Sequence, residues 1–175
     1  MLPSITDVLS ELSDTLDGVQ HGSYRQALDL LRDAPSRVLV SGQGRSGMVA
    51  QMAAMRLMHL GLAAHAVGEP TAPPVREGDI LVIISGSGET PISNAFASQA
   101  QNEGASVLAI TKAPTSTLAR AADVTLTVAP ITSAQFAGSM FEQAALILLD
   151  VIVLDLSGGA TDIYAEMAQR HTNLQ

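Results

Sequence analysis

The chain has 175 residues, of which 9 are basic and 17 are acidic, and its formal net charge is −8. This charge disfavours nucleic acid and anionic membranes as partners, so a bound anion has to be held by a local site. The absence of cysteine excludes disulfides, thiolate metal sites and thiol catalysis.

A chain of this length predicts a single domain over residues 1–175. No basic segment followed by an apolar run opens the sequence, and we expect no stretch that approaches the length of a membrane span. The protein is therefore expected to be soluble and cytoplasmic. Hydrophobic residues make up 47% of the chain and aromatic residues only 3%, so the core is predicted to consist of aliphatic side chains.

Two helices are predicted at the start of the chain, within residues 4–32. Apolar residues recur at spacings of three and four from Ile5 to Val19, which indicates an amphipathic helix. A second, shorter helix fits the segment from Tyr24 to Leu31. Both helices precede the predicted sheet.

From residue 36 to residue 156, short apolar runs alternate with helical segments. Strands are predicted at 37–41, 63–67, 79–84, 106–111 and 124–128, and helices near 46–60, 91–103, 116–121 and 136–156. This alternation predicts parallel strands joined by right-handed crossovers, with helices on both faces of the sheet. A helical tail is expected over residues 160–175.

Two segments of this core share one design. Both 37–53 and 79–95 consist of an apolar strand, then serine and glycine, then a helix. A helix start offers free N–H groups and partial positive charge, glycine lets an anion approach the backbone, and serine adds hydroxyl donors. Such loops lie at the carboxyl edge of a parallel sheet, where ligands bind. The candidate substrate-binding residues in these loops are Ser41, Gly44, Ser46, Ser85, Ser87, Glu89 and Thr90.

The first loop also has an alternative interpretation. Gly42 to Gly47 has the spacing G-x-G-x-x-G, and Glu69 lies 22 residues beyond it, as in a dinucleotide-binding fold. This reading leaves the second loop unexplained, and a tight turn without a ligand is a further alternative. The combination of Ser85 to Thr90 at a strand–helix junction is the more specific signal for phosphate.

Two helices carry unusual apolar surfaces. Helix 136–156 is apolar on nearly every side from Ala144 to Leu156, so it is expected to be buried in the fold or against another subunit. One face of helix 46–60 carries Met48, Met52, Met55 and Met58. These side chains favour core or interface packing rather than a ligand site.

Taken together, several motifs resemble a known family. SGQGRSG, AMRLMHLG at 54–61, GDILVIISGSGET at 78–90, FEQAALILLD at 141–150 and the terminal RHTNL are similar to sugar isomerase (SIS) domains of the 6-phospho-3-hexuloisomerase type. The resemblance covers almost the whole chain. It implies an α/β fold, a flavodoxin-like three-layer α/β/α sandwich with a five-stranded parallel sheet. The sequence departs from the family pattern at its end, so no role is carried over to Gln175.

The resemblance also implies an activity, an assembly and a partner. It implies the interconversion of 3-hexulose 6-phosphate and fructose 6-phosphate through a cis-enediolate, in the ribulose monophosphate route of formaldehyde fixation. It further implies a homotetramer, no metal or organic cofactor, and 3-hexulose-6-phosphate synthase as the functional partner. A non-catalytic SIS module that senses a phosphosugar is the alternative from another class.

Moving a carbonyl between adjacent carbons requires a base, a group that serves the two oxygens and stabilisation of the enediolate. Glu142 is the first candidate for the base because it opens the apolar helix, and Glu89 is its rival. His171 is the favoured proton shuttle between oxygens, acting across a subunit boundary, with His59 as the alternative. Arg45, in the first loop, is predicted to neutralise the enediolate or to hold phosphate.

Overall fold

The structure, a computed structural model, describes residues 4–33, 36–130, 132–159 and 163–174. The strands are β1 (Val38–Gly42), β2 (Ala64–Ala66), β3 (Ile80–Ile84), β4 (Ser106–Thr111) and β5 (Val124–Thr127). They form one parallel sheet in the order β2-β1-β3-β4-β5. The predicted five-stranded parallel sheet is confirmed, with strand bounds that agree to within one residue.

The helices also follow the predicted order. They are α1 (Ile5–Asp17), α2 (His21–Arg32), α3 (Arg45–Leu60), α4 (Pro91–Asn102), α5 (Thr117–Ala121), α6 (Ser139–Leu156) and α7 (Ile163–Arg170). Helix α2 begins three residues earlier than predicted, because its polar first turn carries no apolar periodicity. A 3-10 turn, Phe136–Gly138, stands where the predicted long helix began. Gln175 lies outside the described residues.

The sheet separates two apolar cores. On one face, Val38, Val40 and Ile84 pack with α1, α2, α3 and α6. On the other face, Leu39 and Ile83 pack with α4 and α5. Because successive strand residues point to opposite faces, strands buried on both sides are almost wholly apolar. This arrangement is the predicted three-layer sandwich.

An ion pair joins the amino ends of the two central strands. Asp79, which precedes β3 and is 1% exposed, accepts from Nε and Nη2 of Arg37 at 3.0 and 2.8 Å. It also accepts from the Arg76 N–H at 2.8 Å. These three bonds compensate the burial of the carboxylate and hold β1 and β3 in register at the amino edge.

The opposite, carboxyl edge has a crevice between β1 and β3. These strands are neighbours in the sheet, yet α3 follows β1 on one face and α4 follows β3 on the other. Such a switch point opens a crevice beyond the ends of the two strands. The chain order therefore brings both serine–glycine loops to one place.

Helix α6 is buried on one side only. Ala144, Leu148 and Ile152 are buried, whereas Ile147, Val151 and Leu154 are exposed. The alternative that this helix is buried within the fold of one chain is therefore wrong, whereas the alternative that it packs against another subunit stays a prediction. On the adjacent α3, Met48 is 64% exposed, and Met52 and Met55 are also exposed. We call these six exposed residues of α3 and α6 the apolar face.

The same helix corrects the expectation about membrane spans. The segment Phe136–Leu156 has 21 residues and a mean hydropathy of 1.7, which meet the length and composition of a span. No such stretch was expected. This is weak support for a span, since α6 packs on α1, α2 and α3 as a core helix does.

Candidate active site

The two serine–glycine loops lie side by side at the switch point. Gly42 at the end of β1 is in register with Ile84 at the end of β3, and neighbouring strands are about 4.8 Å apart. Gly44 precedes α3 as its N-cap, and the side on which a Cβ would stand is open. Ser46 is half-buried in the first turn of α3, whereas Ser41 is buried within β1.

The second loop, residues 85–90, is closed by its own hydrogen bonds. The hydroxyls of Ser85 and Thr90 lie 3.2 Å apart. The Glu89 N–H donates to Ser87 Oγ at 3.2 Å, and the Gly88 N–H donates to the Ser85 carbonyl at 3.1 Å. Thr90 then occupies the N-cap position of α4, with Pro91 in its first turn. Below, these residues are called the serine loop.

The serine loop is anchored to the next βα unit through Gly88. Its carbonyl accepts from the Leu118 N–H at 3.0 Å. Gly88 has a φ of 63°, and a Cβ there would collide with the Ser116 side chain. Only glycine therefore combines this backbone conformation with this contact. The sequence reasoning missed Ser116. A signal was available, because serine directly before a predicted helix is typical of an N-cap, and Ser116 is the N-cap of α5.

The predicted catalytic residues Arg45 and Glu142 meet directly. Nε of Arg45 lies 3.0 Å from Oε1 of Glu142, and the Glu142 side chain is only 18% exposed. Arg45 opens α3 and Glu142 lies in the first turn of α6, so the ion pair joins two helix starts. Nη2 of Arg45 also donates to the Ala137 carbonyl at 2.5 Å. The arginine thus fixes the entry of the chain into α6.

The start of α6 also contacts the serine loop. A Cβ on Gly86 would lie 3.2 Å from Cδ1 of Phe141, the residue before Glu142. The aromatic ring therefore packs against the backbone of the loop, and the absent side chain at Gly86 permits this approach. The serine loop, Arg45 and Glu142 form one cluster at the carboxyl edge. Sequence spacing could not reveal the role of Phe141, because its partner is distant in the chain.

Glu89, the rival candidate for the base, is turned towards α5. Its Oε1 accepts from the Thr117 N–H at 2.8 Å. This hydrogen bond to the helix start lowers the pKa of Glu89 below its usual value. Because this carboxylate is engaged at the start of α5, Glu142 stays the first candidate for the base.

The two candidate histidines lie together, but not in this cluster. The rings of His59 and His171 are stacked, with centroids 5.1 Å apart. Arg45 and His59 are 14 residues apart in α3, a separation of about 21 Å at about 1.5 Å per residue. Arg170 donates to the His59 carbonyl at 3.1 Å, which docks the tail on the end of α3. Within one subunit, neither histidine joins Glu142.

A separate hollow of about 220 Å³ lies near these histidines. It is lined by His59, Arg56 and Asp150 and by residues of the second half of α6. It is remote from the serine loop, and we place the candidate site at the switch point because the anion-binding groups and the carboxylate converge there. Among the described residues, no three histidine, aspartate or glutamate side chains group to hold a metal ion.

Comparison with known proteins agrees with this architecture. Residues 30–154 match the family model of the SIS domain. The 3-hexulose-6-phosphate isomerase of Mycobacterium gastri is 39% identical over 149 residues, which cover 81% of this chain and 75% of that protein. The 3-hexulose-6-phosphate isomerase of Bacillus subtilis (strain 168) is 32% identical over 180 residues, which cover 98% and 97% of the two chains.

A solved structure supports the same relationship. It is a protein of Methanococcus jannaschii for which a molecular function of 3-hexulose-6-phosphate isomerase has been inferred. Its TM-score is 0.82 at 30% identity, over 95% of this chain and 98% of that chain. The family model, the relatives and the fold agree over most of the sequence. This chain therefore belongs to the sugar isomerase (SIS) domain family.

Proposed function

We propose that this SIS domain is a 6-phospho-3-hexuloisomerase, which interconverts 3-hexulose 6-phosphate and fructose 6-phosphate. The observation that carries the proposal is the Arg45–Glu142 pair at 3.0 Å beside the serine loop. It supplies a carboxylate and a cation next to groups suited to phosphate. The relatives from Mycobacterium gastri and Bacillus subtilis carry the name 3-hexulose-6-phosphate isomerase.

The serine loop and the start of α3 hold the substrate phosphate in this proposal. Ser85, Ser87 and Thr90 offer hydroxyls, and Ser46 adds one from the neighbouring helix start. The first N–H groups of α4 have no partner within the helix and carry partial positive charge. Of the remaining predicted contacts, Gly44 leaves the backbone open to the substrate, whereas Ser41 is buried within β1 and Glu89 is engaged with the start of α5.

Glu142 acts as the base that moves a proton between carbons. It removes the proton from C3 of fructose 6-phosphate, which gives a 2,3-enediolate, and returns a proton at C2. When the carboxylate takes the proton, its charge is neutralised and negative charge develops on the substrate. Arg45, which pairs with Glu142 at 3.0 Å, then stabilises the enediolate.

His171 is proposed to move a proton between the two oxygens in the site of a neighbouring subunit, and His59 is the alternative. His59 lies about 21 Å along α3 from Arg45 of its own chain, and His171 is stacked on His59. A role for either residue therefore requires assembly. The apolar face supplies a surface for this assembly. We propose a homotetramer in which each subunit is a single SIS domain of residues 1–175.

The cellular setting follows from the proposed reaction. Its substrate is the product of 3-hexulose-6-phosphate synthase, the proposed functional partner in the cytoplasm. Nucleic acid and membrane are not proposed as partners of a chain with net charge −8. The carboxylate, the cation and the hydroxyl-rich loop supply the chemistry, so no metal or organic cofactor is proposed.

The alternative, a phosphosugar sensor, needs the serine loop but no base. Incubation of the protein with fructose 6-phosphate in deuterated water distinguishes an isomerase from a sensor. An isomerase incorporates solvent deuterium at the carbon from which the proton is removed, and the Glu142→Gln variant loses this exchange. A protein that binds the sugar phosphate without any exchange would be a sensor, and the proposed activity would be wrong.

A further inference from the structure

A lysine side chain lies over the serine loop. Lys112 is the single lysine of the chain and follows Thr111, the last residue of β4. Its N–H donates to the Gly86 carbonyl at 3.1 Å. Its Cε lies 3.3 Å from the position that a Cβ on Gly86 would occupy. The aliphatic stem thus crosses the loop between Ser85 and Ser87, and the backbone contact fixes where the stem begins.

The charge of this lysine is not neutralised by the protein. The Lys112 side chain is exposed, and none of the ion pairs within the described parts of the chain includes it. The guanidinium groups nearby have partners: Arg45 pairs with Glu142, and Arg120 donates to the Thr115 carbonyl and the Thr117 hydroxyl. Within the described residues, the Lys112 ammonium group has no hydrogen-bond or ionic partner, so it is free to turn towards a ligand on the serine loop.

A phosphate ligand needs such a charge here. A phosphate monoester carries about −1.5 to −2 charges near neutral pH, and it approaches a chain whose net charge is −8. Hydroxyls and backbone N–H groups satisfy its oxygens but bring no full positive charge. A bond between an ammonium group and phosphate is roughly twice as strong as a neutral hydrogen bond.

We propose that the Lys112 ammonium group binds the phosphate of the substrate over the serine loop. This inference rests on the proposed function, which assigns phosphate to that loop. It also accounts for glycine at position 86, because a side chain there would press against both Cε of Lys112 and Cδ1 of Phe141. Lys112 is accordingly a binding residue. Its substitution should lower the affinity for phosphorylated sugar and should leave the rate of proton transfer unchanged.

The test compares three variants by titration calorimetry with fructose 6-phosphate. Lys112→Gln should weaken binding about ten- to a hundredfold, because it removes one bond to a charged group. It should also weaken the dependence of the Kd on ionic strength. Lys112→Arg keeps the charge and should stay close to wild type. The matched control is Arg76→Gln, which removes a cation paired with Glu103 before β3 and should leave the Kd unchanged.

Two outcomes would overturn the inference. One is a Kd for Lys112→Gln equal to that of the wild type. The other is a Lys112→Arg variant that binds as weakly as Lys112→Gln, which would mean that the positive charge is not what binds the phosphate. Wild-type protein that binds fructose 6-phosphate without converting it would refute the proposed activity alone. Wild-type protein that does not bind the sugar phosphate would overturn both.

Chemical modification gives an independent readout. Because the chain has one lysine, an amine-selective reagent labels a single side chain, which peptide mass spectrometry can follow. Fructose 6-phosphate and inorganic phosphate should both slow the labelling of Lys112, whereas fructose should not. Equal labelling rates with and without either phosphate compound would contradict the contact.

Discussion

Glu142 carries the proposed chemistry at the scale of single residues. The change Glu142→Gln keeps shape and hydrogen bonding but removes basicity. Removal of a general base lowers the rate about a hundred- to ten-thousandfold, so kcat should fall by that factor while fructose 6-phosphate still binds. Steady-state kinetics measures the fall in kcat, and calorimetry measures the binding.

A matched control separates basicity from the loss of an ion pair. Glu103 also pairs with an arginine, Arg76, at 3.0 Å, but it ends α4 away from the serine loop. Glu103→Gln should therefore leave kcat unchanged. A folded Glu142→Gln variant that binds the sugar and retains more than about a tenth of wild-type turnover would exclude Glu142 as the base.

The serine loop gives the second prediction at this scale. Ser87→Ala removes an exposed hydroxyl that is proposed to donate to phosphate. Loss of one hydrogen bond from a neutral donor to a charged group makes the free energy of binding less favourable by about 1.5–3 kcal/mol. The KM should therefore rise at least about tenfold. The control is Ser98→Ala, an exposed serine farther along α4. Unchanged kinetics in both Ser85→Ala and Ser87→Ala would argue against this phosphate site.

Sequence reasoning found part of this site for a physical reason. A helix start is a local signal, so Ser46 and Thr90 could be proposed from strand–helix junctions, and Glu142 could be proposed because it opens an apolar helix. The contact of Arg45 with Glu142 joins residues in α3 and α6. No local spacing predicts such a contact. Lys112 was missed for the same reason, since its proposed role depends on its contact with Gly86, which lies in the preceding strand–loop unit.

At the scale of elements, the buried ion pair at the amino edge stabilises the two central strands. Asp79→Ala removes an unexposed carboxylate side chain and leaves Arg37, which is 26% exposed, without its partner. Breaking a buried pair costs about 3–5 kcal/mol, and the partial access of Arg37 to water favours the lower end. We expect about 3 kcal/mol less stability in denaturant unfolding.

A surface pair provides the contrast for this measurement. Glu103→Ala breaks the exposed pair with Arg76, which should cost about 1 kcal/mol or less. The prediction fails if Asp79→Ala and Glu103→Ala lower the free energy of unfolding equally. That result would mean that Asp79 does not hold the strands together.

The elements themselves were predictable to different degrees. The central strands β3 and β4 are buried apolar runs, and all five strands could be placed to within one residue. The start of helix α2 could not be placed as closely, because its first turn, from His21, carries no apolar residue until Tyr24. Helix α6 was predicted to be buried on all sides, because apolar composition does not distinguish residues of the core from exposed residues of a subunit interface.

At the scale of the whole molecule, the apolar face is predicted to form a subunit interface. Val151 of this face is 42% exposed, so Val151→Glu should lower the mass observed in sedimentation velocity below that of a tetramer. The control is Ser98→Glu, which adds the same charge to α4 on the opposite face of the sheet. Wild-type protein that is a stable monomer at micromolar concentration would refute the interface and, with it, a role for His171 across subunits.

The most direct test of the central claim is turnover of the proposed substrate. Purified protein is incubated with 3-hexulose 6-phosphate, and the formation of fructose 6-phosphate is followed with no added metal or cofactor. The wild-type protein should produce fructose 6-phosphate, and the Glu142→Gln variant should do so at about a hundredth of that rate or less. Folded wild-type protein that binds fructose 6-phosphate yet forms none from 3-hexulose 6-phosphate would contradict the assignment.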